Sequence, residues 1–431
     1  MNSFFEKVRL VFADQVLRRR IFFTLALLAV FRLLSTIPVP DVDTTQLNAF
    51  FSGNQFLGLL NIFTGNSLAN FSIVMLGVGP YITASIIMQL MTLLSPKLKS
   101  MYQEEGEYGR KKFSQYSRML TVPLALIQGW AFLVLLQRQG IIEPMDAFDT
   151  VRNLSLITAG SMLLLWIGER ISEFGIGNGT SLIIFAGIVA ALPTAIVQFV
   201  YTYIYPTLDP TIVPTVIAML VGTLIIIYGV VVITEAERPI PVTYAKRVRG
   251  NKIYGGVSTY IPLRLNQSGV IPIIFALSIL IFPTVIFQFL LAQFPTVPWL
   301  VSAAQWVLTT LQNQWIYAAI YFVLVFAFTY FYTAVTFDPN QISENLQKNG
   351  AFIPGVRPGQ STAHYISKIL TRLTAFGALF LGIIAILPVI VQILAPTVSS
   401  INVGGTALLI VVSVIIDLIK KTEAQVSMKE Y

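Results

Sequence analysis

The groups that carry most enzyme chemistry are scarce in this 431-residue chain. It has one histidine, His364, in a polar segment, and no cysteine. A serine–histidine centre needs a histidine beside its nucleophile, and a zinc centre needs imidazole or thiolate ligands. Neither is expected within the apolar stretches. Only Arg32 sits well inside a long apolar run, whereas Glu169, Glu235, Glu237 and Asp417 fall at or near the ends of such runs. No pair of embedded aspartates suggests an intramembrane protease, and no glycine-rich phosphate loop of the Walker A type is present. No engine, catalytic site or cofactor is expected, so energy for any work must come from elsewhere.

Two other patterns recur. Ile82 and Ile86 lie four apart, as do Ile184 and Ile188, so each pair shares one helix face. By spacing alone such residues face lipid or a neighbouring helix. Basic residues gather where glycine and proline fix loop shape. One loop runs from Glu237 to Gly256, with Lys246, Arg247 and Arg249. The other, Asn349 to Gly359, holds three glycines, two prolines and a single cation, Arg357. Arginine presents a planar fork of donors suited to carboxylate, phosphate or carbonyl oxygens. Together the loops suggest two preshaped fingers for a large partner, set against the plainer reading that their charges only fix topology.

The elements that position these residues are membrane helices. The chain is 55% hydrophobic and 11% charged, with a mean hydropathy of +0.75. A soluble domain carries about 25% charged residues, so this chain cannot coat a globular surface and reads as polytopic. Apolar runs lie near 21–37, 71–94, 119–137, 153–168, 181–203, 212–234, 268–291, 315–336, 369–395 and 403–419. The first follows Arg18, Arg19 and Arg20 but ends without a small-residue cleavage pattern, so it is read as a retained span rather than a signal peptide. Ahead of it, Phe5, Val8, Val11 or Phe12, and Val16 suit a short interfacial helix.

Ten spans place both termini on one side. Of the 28 lysines and arginines, all but Arg32, Arg138 and Arg152 lie on that side, which is therefore assigned as cytoplasmic. The formal net charge of +8 suits anionic partners there. The expected division is an N-terminal half, 1–203, and a C-terminal half, 204–431, with docking loops at 235–266 and 337–368. Five spans per half gives the halves opposite topology, and inverted repeats commonly place a pathway at their interface. The second span opens with Gly77, Gly79 and Pro80, which favours a break. Before it, Asn61–Asn70 is too short to span. It is either an outer loop or a re-entrant segment covered by protein.

Longer motifs carry a resemblance. PYITASIIMQLM (80–91), EEGEYGRKKFSQYSR (104–118), GERISEFGIGNGTSLIIFAGIVA (168–190), YAKRVRG (244–250), STYIPLRLNQSGVIPIIFA (258–276), NGAFIPGVRPG (349–359) and GGTALLIVVSVIID (404–417) resemble the SecY family, in order, from about Ile21 to Lys421. Its members form the channel of the bacterial protein-export translocon. The resemblance implies an all-α polytopic membrane protein, with ten transmembrane helices in two inverted five-helix halves around an hourglass pore. It implies passage of unfolded, signal-bearing polypeptides and sideways release of apolar helices into lipid. The pore ring would be Ile82, Ile86, Ile184, Ile188, Ile274 and Ile410. The plug would be Asn61, Ile62, Phe63, Thr64, Gly65, Asn66, Ser67, Leu68, Ala69 and Asn70. A lateral gate would part the second and third spans from the seventh and eighth.

Lys246, Arg247, Arg249 and Arg357 would dock the SecA ATPase motor or the ribosome. SecE and SecG subunits are the implied membrane partners, in the bacterial cytoplasmic membrane. Pro239 stands where the family often has a basic residue, and Tyr260 where histidine is common. A secondary transporter of a small solute also fits ten inverted spans. Sparse embedded charge and long basic loops argue against it. An intramembrane enzyme lacks its catalytic groups.

Overall fold

The computed structural model describes residues 13–40, 47, 61, 64–65, 67–138, 140–143, 145–203, 213–244, 247–249, 252–254, 258–294, 296–394 and 405–427. Ten long helices fall on the ten expected spans. They are α1 (Gln15–Leu34), α2 (Gly79–Leu94), α4 (Gly106–Arg138), α5 (Ala147–Phe174), α6 (Gly179–Tyr203), α7 (Val213–Glu235), α8 (Ile271–Gln293), α10 (Gln314–Thr336), α12 (Gln360–Leu394) and α13 (Gly405–Ser427). Gly106–Gln137, Ala147–Phe174, Gln314–Lys348 and Gln360–Val391 are each long and apolar enough to cross a membrane, and shorter apolar helical stretches accompany them. The interfacial helix expected near the N-terminus lies mainly outside the described residues.

Boundaries moved for clear reasons. The second span was expected from residue 71, but 71–78 form turns and α2 begins at Gly79. Pro80 sits in the first turn, where its missing N–H is tolerated. The fourth run looked short because Asp149, Arg152 and Glu169 interrupt its hydropathy, yet α5 has 28 residues. Charged ends conceal helix that continues past the lipid boundary. Three helices were not anticipated: α3 (Pro96–Gln103), α9 (Pro298–Gln312) and α11 (Pro339–Lys348), each with proline at its start. For α11, the Asp338 carboxylate accepts from the N–H of Asn340 at 2.9 Å, a standard cap.

The main apolar core is shared by α2, α5, α6, α8, α10, α12 and α13. α8 packs against both α2 and α4, and α10 packs along α12. A second core gathers Leu68, Phe71 and Met75 with Phe132, Leu133, Leu136 and Ile157 on α4 and α5. The basic loops form strands: β1 (Glu237–Tyr244), β2 (Arg247–Arg249), β3 (Lys252–Tyr254), β4 (Ser258–Arg264) and β5 (Ala351–Phe352). β1 pairs antiparallel with β4 from Glu237↔Arg264 to Thr243↔Ser258, and β5 adds at Thr243↔Phe352 and Tyr244↔Ala351. Pro239 faces Pro262 in this register. Proline is tolerated there because β5 pairs only with the far end of β1, leaving one side of Pro239 without a ladder partner.

Candidate functional site

The six isoleucines come from four helices: Ile82 and Ile86 from α2, Ile184 and Ile188 from α6, Ile274 from α8 and Ile410 from α13. All six meet in the main apolar core. Ile86, Ile184, Ile188 and Ile410 expose 4% or less of their surface, and Ile82 and Ile274 are half-buried against them. The i, i+4 pairs put two side chains from each of α2 and α6 on the inward face. Residues more than 300 positions apart in the sequence thus fall within one apolar cluster. Aliphatic side chains of this kind have no donor or acceptor with which to stabilise an ion.

The stretch before α2 is folded into the protein. Thr64, Gly65, Ser67, Leu68 and Ala69 are buried. That is the covered segment of the two alternatives, not an exposed outer loop. Internal bonds shape it. The Thr64 hydroxyl donates to the Asn61 carbonyl at 3.1 Å, the Ala69 N–H donates to the Asn61 side-chain oxygen at 2.8 Å, and the Ser67 hydroxyl donates to the Thr64 carbonyl. Ile62, Phe63 and Asn66 lie outside the described residues.

Gly65 brings this stretch against α6. Its φ of +70° suits glycine, and a Cβ there would lie 2.7 Å from the Cα of Gly187. Gly187 sits on α6 between Ile184 and Ile188. The carbonyl of Gly65 accepts from Nη1 of Arg32 at 2.9 Å, so the one cation well inside a span reaches this stretch. Sequence reasoning flagged Arg32 but had no means of finding a partner 33 residues away. On the other side, Phe71 is fully buried with φ +44°, a rare conformation for a bulky residue. Its carbonyl accepts from the Val39 N–H at 2.8 Å, and the second core surrounds its ring.

The loop with Arg357 is stiffened as its glycines suggested. Gly350, Gly355 and Gly359 have φ of 68°, 82° and 97°. The Ser343 hydroxyl donates to the Gly359 carbonyl at 2.6 Å, and the Thr362 hydroxyl to the Arg357 carbonyl at 2.8 Å. Ile353 anchors the loop among Ile240, Val242, Leu263 and Ile366. Arg357 itself is exposed. Arg247 and Arg249 lie on β2, in a ribbon with β3 that follows β1 directly. Lys246 lies outside the described residues. Because β5 joins β1, the two expected fingers share one sheet, a link that turn chemistry alone did not reveal.

The span-end carboxylates take structural roles. Glu169 pairs with Arg118 between α5 and α4, Glu235 with Lys420 at 3.0 Å between α7 and α13, and Asp417 with Lys421 at 2.7 Å within α13. At the end of α3, burial pushes the Tyr102 phenol above its usual range, with nearby Arg110 pulling it back, so it stays neutral at physiological pH. Among the described residues, no group of three or more His, Cys, Asp or Glu could hold a metal.

Comparison with known proteins agrees with this geometry. The SecY family model matches residues 72–419. The protein translocase subunit SecY of Halalkalibacterium halodurans is 41% identical over 433 residues, covering 99% of each chain. That of Thermotoga maritima is 41% identical over 427 residues, covering 96% of this chain and 94% of its own. Among solved structures, one described as a protein conducting channel superposes with a TM-score of 0.64 at 18% identity, covering 94% of this chain and 92% of its own. Sec61 from a canine ribosome–channel complex gives a TM-score of 0.61 at 17% identity, with the same coverage.

Proposed function

The chain belongs to the SecY family, and from that premise we propose that it is the protein-conducting subunit of a Sec translocon. It is a multi-pass membrane protein. In this reading it passes unfolded, signal-bearing polypeptides across the bacterial cytoplasmic membrane, with both termini in the cytoplasm, and releases apolar helices sideways into lipid.

The observation that carries the reading is the collar. Six isoleucines from four helices fall in one apolar cluster, which we read as a ring, and Gly65 packs against Gly187, between Ile184 and Ile188. An aliphatic ring can seal around many side-chain shapes without binding any strongly, which a conduit for varied sequences requires. The stretch from Asn61 to Asn70 acts as the plug, the second seal of the idle channel. A solved structure similar in fold, with a TM-score of 0.60, is described as showing that a plug domain stabilises the closed state of a SecY channel.

The lateral gate lies where α8 packs on α2 and α4. Opening is a population shift driven by signal and partner binding. The two halves, 1–203 and 204–431, move as its walls. Lys246, Arg247, Arg249 and Arg357, with loops 235–266 and 337–368, dock SecA or the ribosome, and SecE and SecG complete the complex. Ribosome docking through phosphates weakens as salt rises.

The test uses vesicles holding the chain with SecE and SecG, given SecA, ATP and a signal-bearing precursor. ATP-dependent and signal-dependent protection of the precursor from external protease is expected. Absence of protection with active partners, together with solute-specific uptake by the chain alone, would replace this reading with a small-solute carrier.

A further inference from the structure

We infer that Gln103 is a specificity-determining residue that fastens the two walls of the gate at their cytoplasmic end. The inference rests on the gate reading above. The side-chain Nε2 of Gln103 donates to the backbone carbonyl of Val335 at 3.1 Å, joining residues 232 positions apart. Gln103 ends α3, the short helix that follows the second span after Ser95. Val335 lies in the last turn of α10, the eighth span.

The acceptor is available for a definite reason. In an α-helix the carbonyl of residue i takes the N–H of residue i+4. α10 ends at Thr336, and Phe337 and Asp338 are extended, so residue 339 opens α11 and the Val335 carbonyl is one of the helix-end carbonyls with no intrahelical donor. The nearby N–H of Phe337 is spent on Thr333 at 2.9 Å. Val335 is 6% exposed, so water has little access. A buried carbonyl needs a donor, and here the donor comes from the opposite wall.

Each wall is braced on its own side. The rings of Tyr102 and Phe113 lie 4.9 Å apart, and Met101 packs with Met88 and Phe113, so α3 moves with α2 and α4. Across the gate, Phe275 of α8 meets Phe328 and Tyr332 of α10, each at 6.1 Å. The amide–carbonyl bond crosses between these two braced bodies. Parting them breaks it and leaves Val335 without a donor. An incoming signal segment must outweigh that penalty, so Gln103 sets how strong a signal must be to open the channel.

The absence of cysteine allows a direct test. Lys99 and Gln341 are exposed on the two walls. Spin labels at Lys99→Cys and Gln341→Cys report the gate distance in vesicles containing the chain with its translocon partners. Gln103→Glu keeps the shape but removes the donor. It should raise the resting fraction of long distances about five-fold, in keeping with the loss of one neutral hydrogen bond. It should also speed transport of a precursor with a weakened signal.

Gln103→Leu removes the donor without adding a charge and should produce the same shift. Gln103→Lys keeps a donor and should stay near the parent. If the parent distance lengthens with precursor but Gln103→Glu leaves the resting distribution unchanged, the fastening role is overturned while the gate stands. A shift in Gln103→Glu without one in Gln103→Leu overturns the hydrogen-bond account. A parent distance that ignores precursor removes the gate reading, and the inference with it.

Discussion

An isoleucine in the collar contributes by what it lacks. It fills space, excludes water and offers no hydrogen bond. Asparagine at Ile82 or Ile274 would put an amide into the ring and give water and ions a partner there. Resting ion flux through vesicles holding either variant should rise several-fold, and signal selectivity should loosen. Unchanged flux and selectivity in both variants would count against the ring. Arg32 makes the opposite kind of contribution, a charge-assisted bond to the Gly65 carbonyl. Such a bond contributes about 1.5–3 kcal/mol. Arg32→Leu should therefore free the plug, and a cysteine at Ser67, which is fully buried, should react with a water-soluble maleimide at least ten-fold faster. Equal labelling rates would separate Arg32 from the plug. The identities of these residues were legible in the sequence. Their partners were not, because Gly65 and Gly187 meet through tertiary packing that no local spacing encodes.

At the scale of elements, the basic loops are joined through β1 and β5, while Arg247 and Arg249 sit on the separate β2–β3 ribbon. β5, just ahead of Arg357, is paired to β1, and the sheet rests on Ile366 and Ile369 of α12. Arg357 is thus presented on a stiff, anchored support. Arg357→Glu should leave folding and insertion intact yet uncouple SecA-driven transport, read as precursor protection at normal SecA levels. Normal transport by that variant would sink the docking role. The existence of the long helices was legible, because long apolar runs admit few alternatives in a bilayer. The ends were harder. The 71–78 segment is as apolar as a span, yet it is made of turns held by the Pro38–Ser72 bridge and the Val39–Phe71 bond. The extra helices α3, α9 and α11 are too short or too polar to announce themselves by hydropathy, though the proline at each start was a usable signal.

At the scale of the molecule, the architecture is a set of braced bodies around an apolar constriction. Ion pairs such as Glu235–Lys420 hold helix ends, while the contacts across the gate include apolar packing and the bond from Gln103 to Val335. Charge bias, ten apolar runs and the family motifs carried most of this fold. The proposed ring of Ile82, Ile86, Ile184, Ile188, Ile274 and Ile410 rests on the motifs and not on their spacing, which fits lipid-facing residues equally well. The most direct test of the central claim is where a polypeptide runs when it is halted midway. A single photo-reactive cysteine probe at Ile410→Cys, in an otherwise cysteine-free chain, should cross-link to a stalled precursor. The same probe at Leu224→Cys, two-thirds exposed on α7, should not. Cross-links at Leu224 with none at Ile410 would contradict passage through the collar.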